Sequence, residues 1–173
     1  MRKMGKMRKM RRIMAGVLSL VLVLCMMGCG KTEEPGKQVD LQTLQEKMLG
    51  ADTTLPEMKV IKSGEEQDEL NFTTLTDIEY ERVAAYFYAC SKKGSAEEIF
   101  VIQMKDKSDA ADFLSSLNER VEKRIGTLQQ YSPEQVEMAE NAVVVREGNY
   151  VALIISEKCG LVQQVFKEMC GGE

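Results

Sequence analysis

Residues 81–104, ERVAAYFYACSKKGSAEEIFVIQM, carry the pattern that decides the fold. The first part, Arg82 to Cys90, is rich in aromatic and small residues, and Glu97 to Met104 is a second, largely apolar run. A polar segment, residues 91–95, separates the two runs and contains Gly94. Two β-prone runs around a short turn that contains glycine are typical of a β-hairpin. This hairpin is the starting point from which the rest of the chain can be interpreted.

The chain after this hairpin alternates between helix and strand patterns. Apolar residues from Ala110 to Leu128 recur at steps of three and four, which predicts a long amphipathic helix. Residues 142–146 and 150–156 flank Glu147-Gly148-Asn149 and predict a second hairpin, because Gly and Asn accept a positive φ. Residues 157–169 predict a closing helix. The order after residue 80 is therefore β-β-α-β-β-α.

These patterns predict an α+β fold, with a small antiparallel sheet of two hairpins and helices packed on one face. Upstream, residues 39–49 predict a short helix with Asp40 as its cap. The mixed, acidic stretch from Ala51 to Leu75 predicts mostly loop. We expect residues 39–173 to form a single domain, because about 135 residues suffice for one core.

The first 28 residues resemble a bacterial signal peptide. Seven Lys and Arg residues fall within residues 1–12, and an apolar run of 15 residues follows from Ile13 to Met27. As a helix this run would span about 22 Å, less than the roughly 30 Å of a bilayer's hydrocarbon core. A secretory signal therefore fits better than a stable transmembrane anchor.

The end of this run resembles a lipobox. Met26, Met27 and Gly28 precede Cys29 and supply an apolar residue, a tolerated residue and a small residue at positions −3 to −1. The resemblance implies cleavage between Gly28 and Cys29 and attachment of a diacylglyceryl group to the Cys29 thiol. Residues 29–38 then form a polar, lipidated tether. Two alternatives stay open at this stage, an uncleaved N-terminal anchor and ordinary signal cleavage without lipidation.

The charge distribution separates the leader from the domain. The sequence has 23 Lys and Arg and 27 Asp and Glu, and no acidic residue precedes Glu33. With the leader removed, 16 basic and 27 acidic residues remain, a net charge of −11. An acidic body argues against nucleic acid or bare anionic lipid as a partner, since both require a basic patch. A covalent lipid on Cys29 would be the feature that holds such a domain at a membrane.

Five segments of the mature chain resemble a known family. They are AEEI (96–99), MKD (104–106), QYSPE (130–134), NAVV (141–144) and GNYVALIIS (148–156). Together they resemble a family of Gram-positive lipoproteins described as domain of unknown function 4358, over roughly residues 39–156. The resemblance implies export, lipidation and one α+β domain. It brings no catalytic or binding residues with it.

The residues that could carry chemistry are few. The sequence contains no His, the commonest general base and metal ligand, and no Cys-x-x-Cys motif in the mature chain. The mature thiols besides Cys29 are Cys90, Cys159 and Cys170, of which Cys90 and Cys159 could pair if their elements meet. Cys170 lies in a Gly-flanked tail, where we expect it to be exposed. We predict no catalytic residues, no cofactor and no metal site.

Two tyrosines are the candidate binding surface. Strand alternation places Tyr86 and Tyr88 on one face, opposite Val83, Ala85 and Phe87. If that face is open, the two rings form a binding platform, and if helices cover it they belong to the core.

The function predicted from these observations is a lipid-anchored, extracytoplasmic lipoprotein of the cell membrane. We expect a non-enzymatic binding or accessory module of the envelope, with an envelope protein or a small ligand as its partner. The alternative is an envelope enzyme with an unrecognised carboxylate or thiol site.

Overall fold

An antiparallel sheet forms the centre of the domain. The computed structural model describes residues 38–171, and the sheet within them has five strands. The strands are β1 (Met58–Lys62), β2 (Val83–Ser91), β3 (Glu98–Met104), β4 (Val143–Glu147) and β5 (Tyr150–Ile155). Their order in the sheet is β1-β2-β3-β5-β4, and every neighbouring pair is antiparallel. The two predicted hairpins are thus β2–β3 and β4–β5, joined through β3 and β5.

Helices cover both faces of this sheet. They are α1 (Leu41–Ala51), α2 (Asp68–Leu75), α3 (Ala110–Tyr131), α4 (Val136–Glu140) and α5 (Cys159–Cys170). The first face packs against α2, α3 and α4, through residues such as Phe72, Phe113 and Ala139. The second face packs against α1 and α5, through Leu44 and Phe166 among others. The α+β class is confirmed, but the prediction that helices pack on one face is wrong.

The central strands explain why both faces need cover. All six residues of β5 are buried, and β3 is buried at every position except Gln103. In β3, Phe100 and Ile102 enter the first core, whereas Ile99 and Val101 enter the second. A strand that is apolar on both sides is stable only between two packed layers. Each layer therefore has its own hydrophobic core.

The stretch predicted as mostly loop contains a strand and a helix. The edge strand β1 runs antiparallel to β2, with Met58 opposite Ser91 and Lys62 opposite Phe87. The following helix α2 buries Phe72 as its only fully buried side chain. Short elements with one or two apolar anchors give little periodicity. This is the physical reason why their sequence resembled a loop.

A β-bulge changes which face Val83 occupies. The register of β2 against β3 shifts between Val83, opposite Met104, and Ala85, opposite Gln103. Because the extra residue reverses the alternation, Val83 enters the first core with Tyr86 and Tyr88. The prediction that placed Val83 on the opposite face from these tyrosines is wrong.

The two long helices are amphipathic as predicted, and α5 ends differently from the prediction. Phe113, Leu117 and Val121 are among the buried residues of α3. Cys170 is the last residue of α5 and is buried, so it does not lie in an exposed tail. None of the helices among residues 38–171 has the length and apolar composition needed to span a bilayer.

Two acidic side chains hold the helix ends. Asp40 caps α1 by accepting a hydrogen bond from the Thr43 N–H, as predicted. Asp52, which is 2% exposed, accepts from the N–H groups of Thr54 (2.8 Å) and Lys158 (3.0 Å). Burial alone would raise the pKa of Asp52, but these hydrogen bonds outweigh it and lower the pKa. Asp52 thereby joins the end of α1 to the beginning of α5.

Candidate functional site

The residues predicted to carry the lipid lie outside the described part of the chain. Gly28 and Cys29, which flank the predicted cleavage site, belong to residues 1–37, and the structure describes residues 38–171. The lipidation of Cys29 therefore stays a prediction from the sequence.

Tyr86 and Tyr88 share one face of β2, and α2 and α3 cover that face. Tyr86 is 1% exposed and Tyr88 is 8% exposed, so their rings belong to the first core rather than to an open platform. The Tyr86 hydroxyl donates to the carbonyl of Asp68 at 2.7 Å. Burial, followed by the nearby charge of Asp68, raises the pKa of Tyr86 to about 12. Tyr86 is a structural residue, whereas Tyr88 reaches a surface cleft with its hydroxyl group.

This cleft lies between the C-terminal end of α2 and one face of α3. It has a volume of about 350 Å³ and is open to solvent. Hydroxyl groups line much of it, from Thr73, Thr74, Thr76, Ser116 and Thr127. A hydrogen bond of 3.1 Å between Thr76 Oγ1 and Ser116 Oγ joins the two walls. Below, "the cleft" refers to this site.

The floor of the cleft is a buried ion pair with a tyrosine. Arg120 Nε donates to Glu98 Oε1 at 2.5 Å, and Arg120 Nη2 donates to the Tyr88 hydroxyl at 3.2 Å. The Tyr88 hydroxyl in turn donates to Glu98 Oε2 at 3.3 Å. Arg120 Nη1 also donates to the carbonyl of Leu75 at 2.6 Å, and Leu75 is the last residue of α2. One guanidinium therefore ties α3 to the sheet and to α2.

The surroundings of Arg120 and Tyr88 keep both of these side chains protonated. Burial alone would lower the pKa of Arg120, but the hydrogen bond and charge of Glu98 outweigh it and raise the pKa. Burial also raises the pKa of Tyr88, and the charge of Glu98 adds to that effect. The Arg120 guanidinium lies 5.3 Å from the centre of the Tyr88 ring, within cation–π range. Both carboxylate oxygens of Glu98 accept hydrogen bonds, so it is not a free general base.

The walls of the cleft carry charged groups that form no ion pair within residues 38–171. Arg124 Nη2 donates to the carbonyl of Ser95 at 2.8 Å, while its Nε is buried and has no hydrogen-bond partner. Lys123, Glu119 and Asp77 are exposed at the rim. The rim thus presents two cationic and two anionic side chains around a hydroxyl-lined space.

The other candidate groups from the sequence are not brought together. Cys90 packs against the first core and Cys159 against the second, and both are free thiols. The Cys90–Cys159 disulfide considered from the sequence is not formed. Within residues 38–171, no group of three or more His, Cys, Asp or Glu side chains could hold a metal ion. Glu97 accepts a hydrogen bond from Ser95 and takes no part in the cleft.

Sequence reasoning missed Glu98, Arg120 and Arg124 as site residues. Positions 116, 120, 123, 124 and 127 recur at helical spacing and form a polar stripe along one side of α3. That stripe borders the buried row of Leu117, Val121 and Leu128. The spacing was available in the sequence, but a polar stripe on an amphipathic helix usually faces solvent.

The comparisons with known proteins give one match. A family model described as "Domain of unknown function (DUF4358)" matches residues 60–156, more than half of the 173 residues. The match begins at residue 60, later than residue 39 where the resemblance began, and both end at residue 156. It runs from β1 to the end of β5 and includes every residue that lines the cleft. No curated protein and no solved structure matches the chain.

Proposed function

The chain belongs to the DUF4358 family, and from that premise we propose that it is a lipid-anchored envelope protein whose domain binds a small solute in the cleft. In this proposal residues 1–28 direct export, and Cys29 carries the lipid at the outer face of the cytoplasmic membrane of a Gram-positive cell. The domain then acts as a binding or accessory module rather than as an enzyme.

The cleft is the observation that carries the binding role. Its volume of about 350 Å³ lies within the range of small-molecule sites, roughly 300–1,000 Å³. Its floor is fixed in advance, because Arg120, Glu98 and Tyr88 hold one another by hydrogen bonds. A preformed site loses little conformational entropy when a ligand binds. These properties favour a small solute over an extended protein contact.

The cleft lies far from the start of the domain, which supports a cleft that faces away from a membrane anchor. The N–H of Val39, near the start of the domain, donates to the Tyr150 hydroxyl at 3.0 Å, and Tyr150 begins β5. Tyr150 lies opposite Gln103, whereas Glu98 on the cleft floor lies opposite Ile155 at the other end of β5. Five residues of strand separate these ends by about 17 Å. A tether at residue 38 would thus enter at the end of the sheet that is remote from the cleft.

Membrane fractionation tests the anchor. The Cys29→Ser variant should appear in the soluble fraction or remain as the uncleaved precursor, because no other apolar run of the mature sequence is long enough to span a bilayer. The Cys25→Ser variant is the matched control, since Cys25 belongs to the discarded signal, and it should behave as wild type. Full processing and membrane retention of Cys29→Ser would refute the lipidation.

Native mass spectrometry of the full chain, extracted from membranes, tests the cleft. Wild-type protein should carry a small-molecule adduct that the cleft-filling variant Thr127→Trp loses. Ser115→Trp places the same bulk on α3 outside the cleft, and this variant should retain the adduct. Equal adduct occupancy in all three proteins, or no adduct in wild type, would contradict the proposed site.

A further inference from the structure

We infer that the ligand of the cleft is a zwitterion, a free amino acid or short peptide with both its ammonium and carboxylate groups unblocked. This inference rests on the proposed binding role of the cleft and adds the chemical class of the ligand. It follows from the charges of the lining.

The carboxylate of the ligand is recognised by Arg124 and Lys123. Arg124 is held in place by the carbonyl of Ser95, which occupies one of the five N–H donors of its guanidinium. A carboxylate forms a charge-assisted bond with a guanidinium, which is stronger than a bond between neutral groups. Lys123, one residue away, forms no ion pair within residues 38–171 and adds a second positive charge.

The ammonium group is recognised by Asp77 and Glu119. Asp77 follows α2 and Glu119 lies on α3, so the two carboxylates approach the cleft from its two walls. Neither carboxylate forms an ion pair within the described part of the chain. An ammonium group has three donors, which carboxylates and neighbouring threonine hydroxyls can accept.

Other ligand classes leave part of this lining unsatisfied. A phosphate or a polyanion would place its charge against Asp77 and Glu119, in a domain that is already acidic. A simple cation would place its charge against Lys123 and Arg124. A sugar commonly stacks on an exposed aromatic ring, and the aromatic residue in the lining, Tyr88, is 8% exposed. A zwitterion satisfies both pairs of charges at once.

Isothermal titration of the full-length chain in detergent tests the inference with triglycine as the probe. Two control ligands remove one charge each, because N-acetyl-triglycine lacks the ammonium and triglycinamide lacks the carboxylate. A third control, glycerol, lacks both charges. We expect triglycine to bind at least about tenfold more tightly than each blocked peptide, because each charged contact contributes a tenfold factor or more. Glycerol should give no measurable heat.

Two variants test which residue recognises the carboxylate of triglycine and which recognises its ammonium group. Arg124→Gln should weaken triglycine about tenfold and leave the affinity for triglycinamide unchanged, since that ligand has no carboxylate to lose. Asp77→Asn should weaken triglycine and leave N-acetyl-triglycine unchanged. Lys167→Gln on α5, outside the cleft, removes the same charge as Arg124→Gln and should not alter any of the affinities.

The outcomes separate this inference from the proposed function. If Thr127→Trp abolishes the native adduct but triglycine binds no better than its blocked forms, the zwitterion is refuted and the cleft remains the site. If triglycine binds equally to wild type and Arg124→Gln, recognition by Arg124 is refuted. If Thr127→Trp retains the adduct and triglycine does not bind, both the cleft and its ligand class are refuted.

Discussion

The Arg120→Met substitution would leave the Glu98 carboxylate buried without its ionic partner. The Glu98 side chain is 5% exposed and that of Arg120 is 25% exposed. Methionine keeps much of the apolar stem that packs over Tyr88 and Phe100, where the guanidinium lies 5.3 and 6.0 Å from the ring centres. The variant therefore removes charge and hydrogen bonds with little loss of volume.

The expected cost follows from these contacts. Breaking a buried ion pair costs about 3–5 kcal/mol when one charge is left behind. Glu98 would keep the hydrogen bond from the Tyr88 hydroxyl, and Arg120 is a quarter exposed, so we expect about 3 kcal/mol. The reciprocal change Glu98→Gln keeps the shape and the hydrogen-bonding capacity, and should cost about 1–2 kcal/mol.

A double-mutant cycle measures the pair directly. Arg120→Met combined with Glu98→Met replaces both charges with apolar side chains, which is often nearly neutral. We expect the free energy of unfolding of the double variant to exceed the value for additive losses by about 2 kcal/mol. Urea unfolding of the four proteins gives these free energies, provided that the slopes agree. A cost below about 1 kcal/mol for Arg120→Met, or full additivity, would refute the pair as a stabilising contact.

Three further predictions concern other parts of the fold. Asp52→Asn should destabilise the protein by about 1–2 kcal/mol at pH 7, through weaker hydrogen bonds to the helix ends. Because the folded-state pKa of Asp52 is lowered, its contribution is complete above the unfolded pKa of about 3.9 and is lost as the pH falls through the folded value. Urea unfolding should therefore show the difference from wild type shrinking below about pH 4, and a constant difference would contradict this. Gly148→Ala should cost about 1 kcal/mol in the same assay, since Gly148 has φ +61°, and a neutral result would be inconsistent with that turn. A maleimide reagent should label the half-buried Cys90 and Cys159 in the native protein, whereas the buried Cys170 should not react while the protein is folded. Rapid native labelling of Cys170, read by peptide mass spectrometry, would show that the end of α5 is open.

The sequence predicted best those strands and helices whose apolar residues recur at a regular spacing along the chain. The β2–β3 and β4–β5 hairpins follow from apolar runs around short turns, and α3 follows from a stripe of buried residues at helical spacing. The turn between β4 and β5 was predicted at Gly148 and Asn149, but only Gly148 adopts a positive φ. Asn149 uses its side-chain amide to bond the carbonyl of Met104, across the sheet. A contact 45 residues away cannot be deduced from the turn alone.

The number of helical layers also depends on contacts between residues that are far apart in the sequence. Residues 98–104 and 150–155 are apolar on both sides, which signals burial on both faces of the sheet. The helix that contains Leu44 and Met48 precedes β1 in the chain, yet it packs beside α5 on the second face. Asp52 connects these two helices across 106 residues. The sequence therefore indicated that a second layer was needed, but not which helices would supply it.

The cleft shows why charged residues are the hardest to assign from sequence. Glu98 and Arg120 are 22 residues apart, and each resembles an ordinary surface charge in its own element. Once α3 packs on the sheet, Glu98 becomes buried and Arg120 becomes mostly buried, and Arg120 also bonds the last carbonyl of α2. The bond from Arg120 to Leu75 therefore fixes the distance between the two helices that form the cleft walls. It follows that Arg120→Met should weaken binding in the cleft as well as stability, because losing the bond to Leu75 frees one wall to move. Glu98→Gln, which leaves that bond in place, should reduce stability and spare binding.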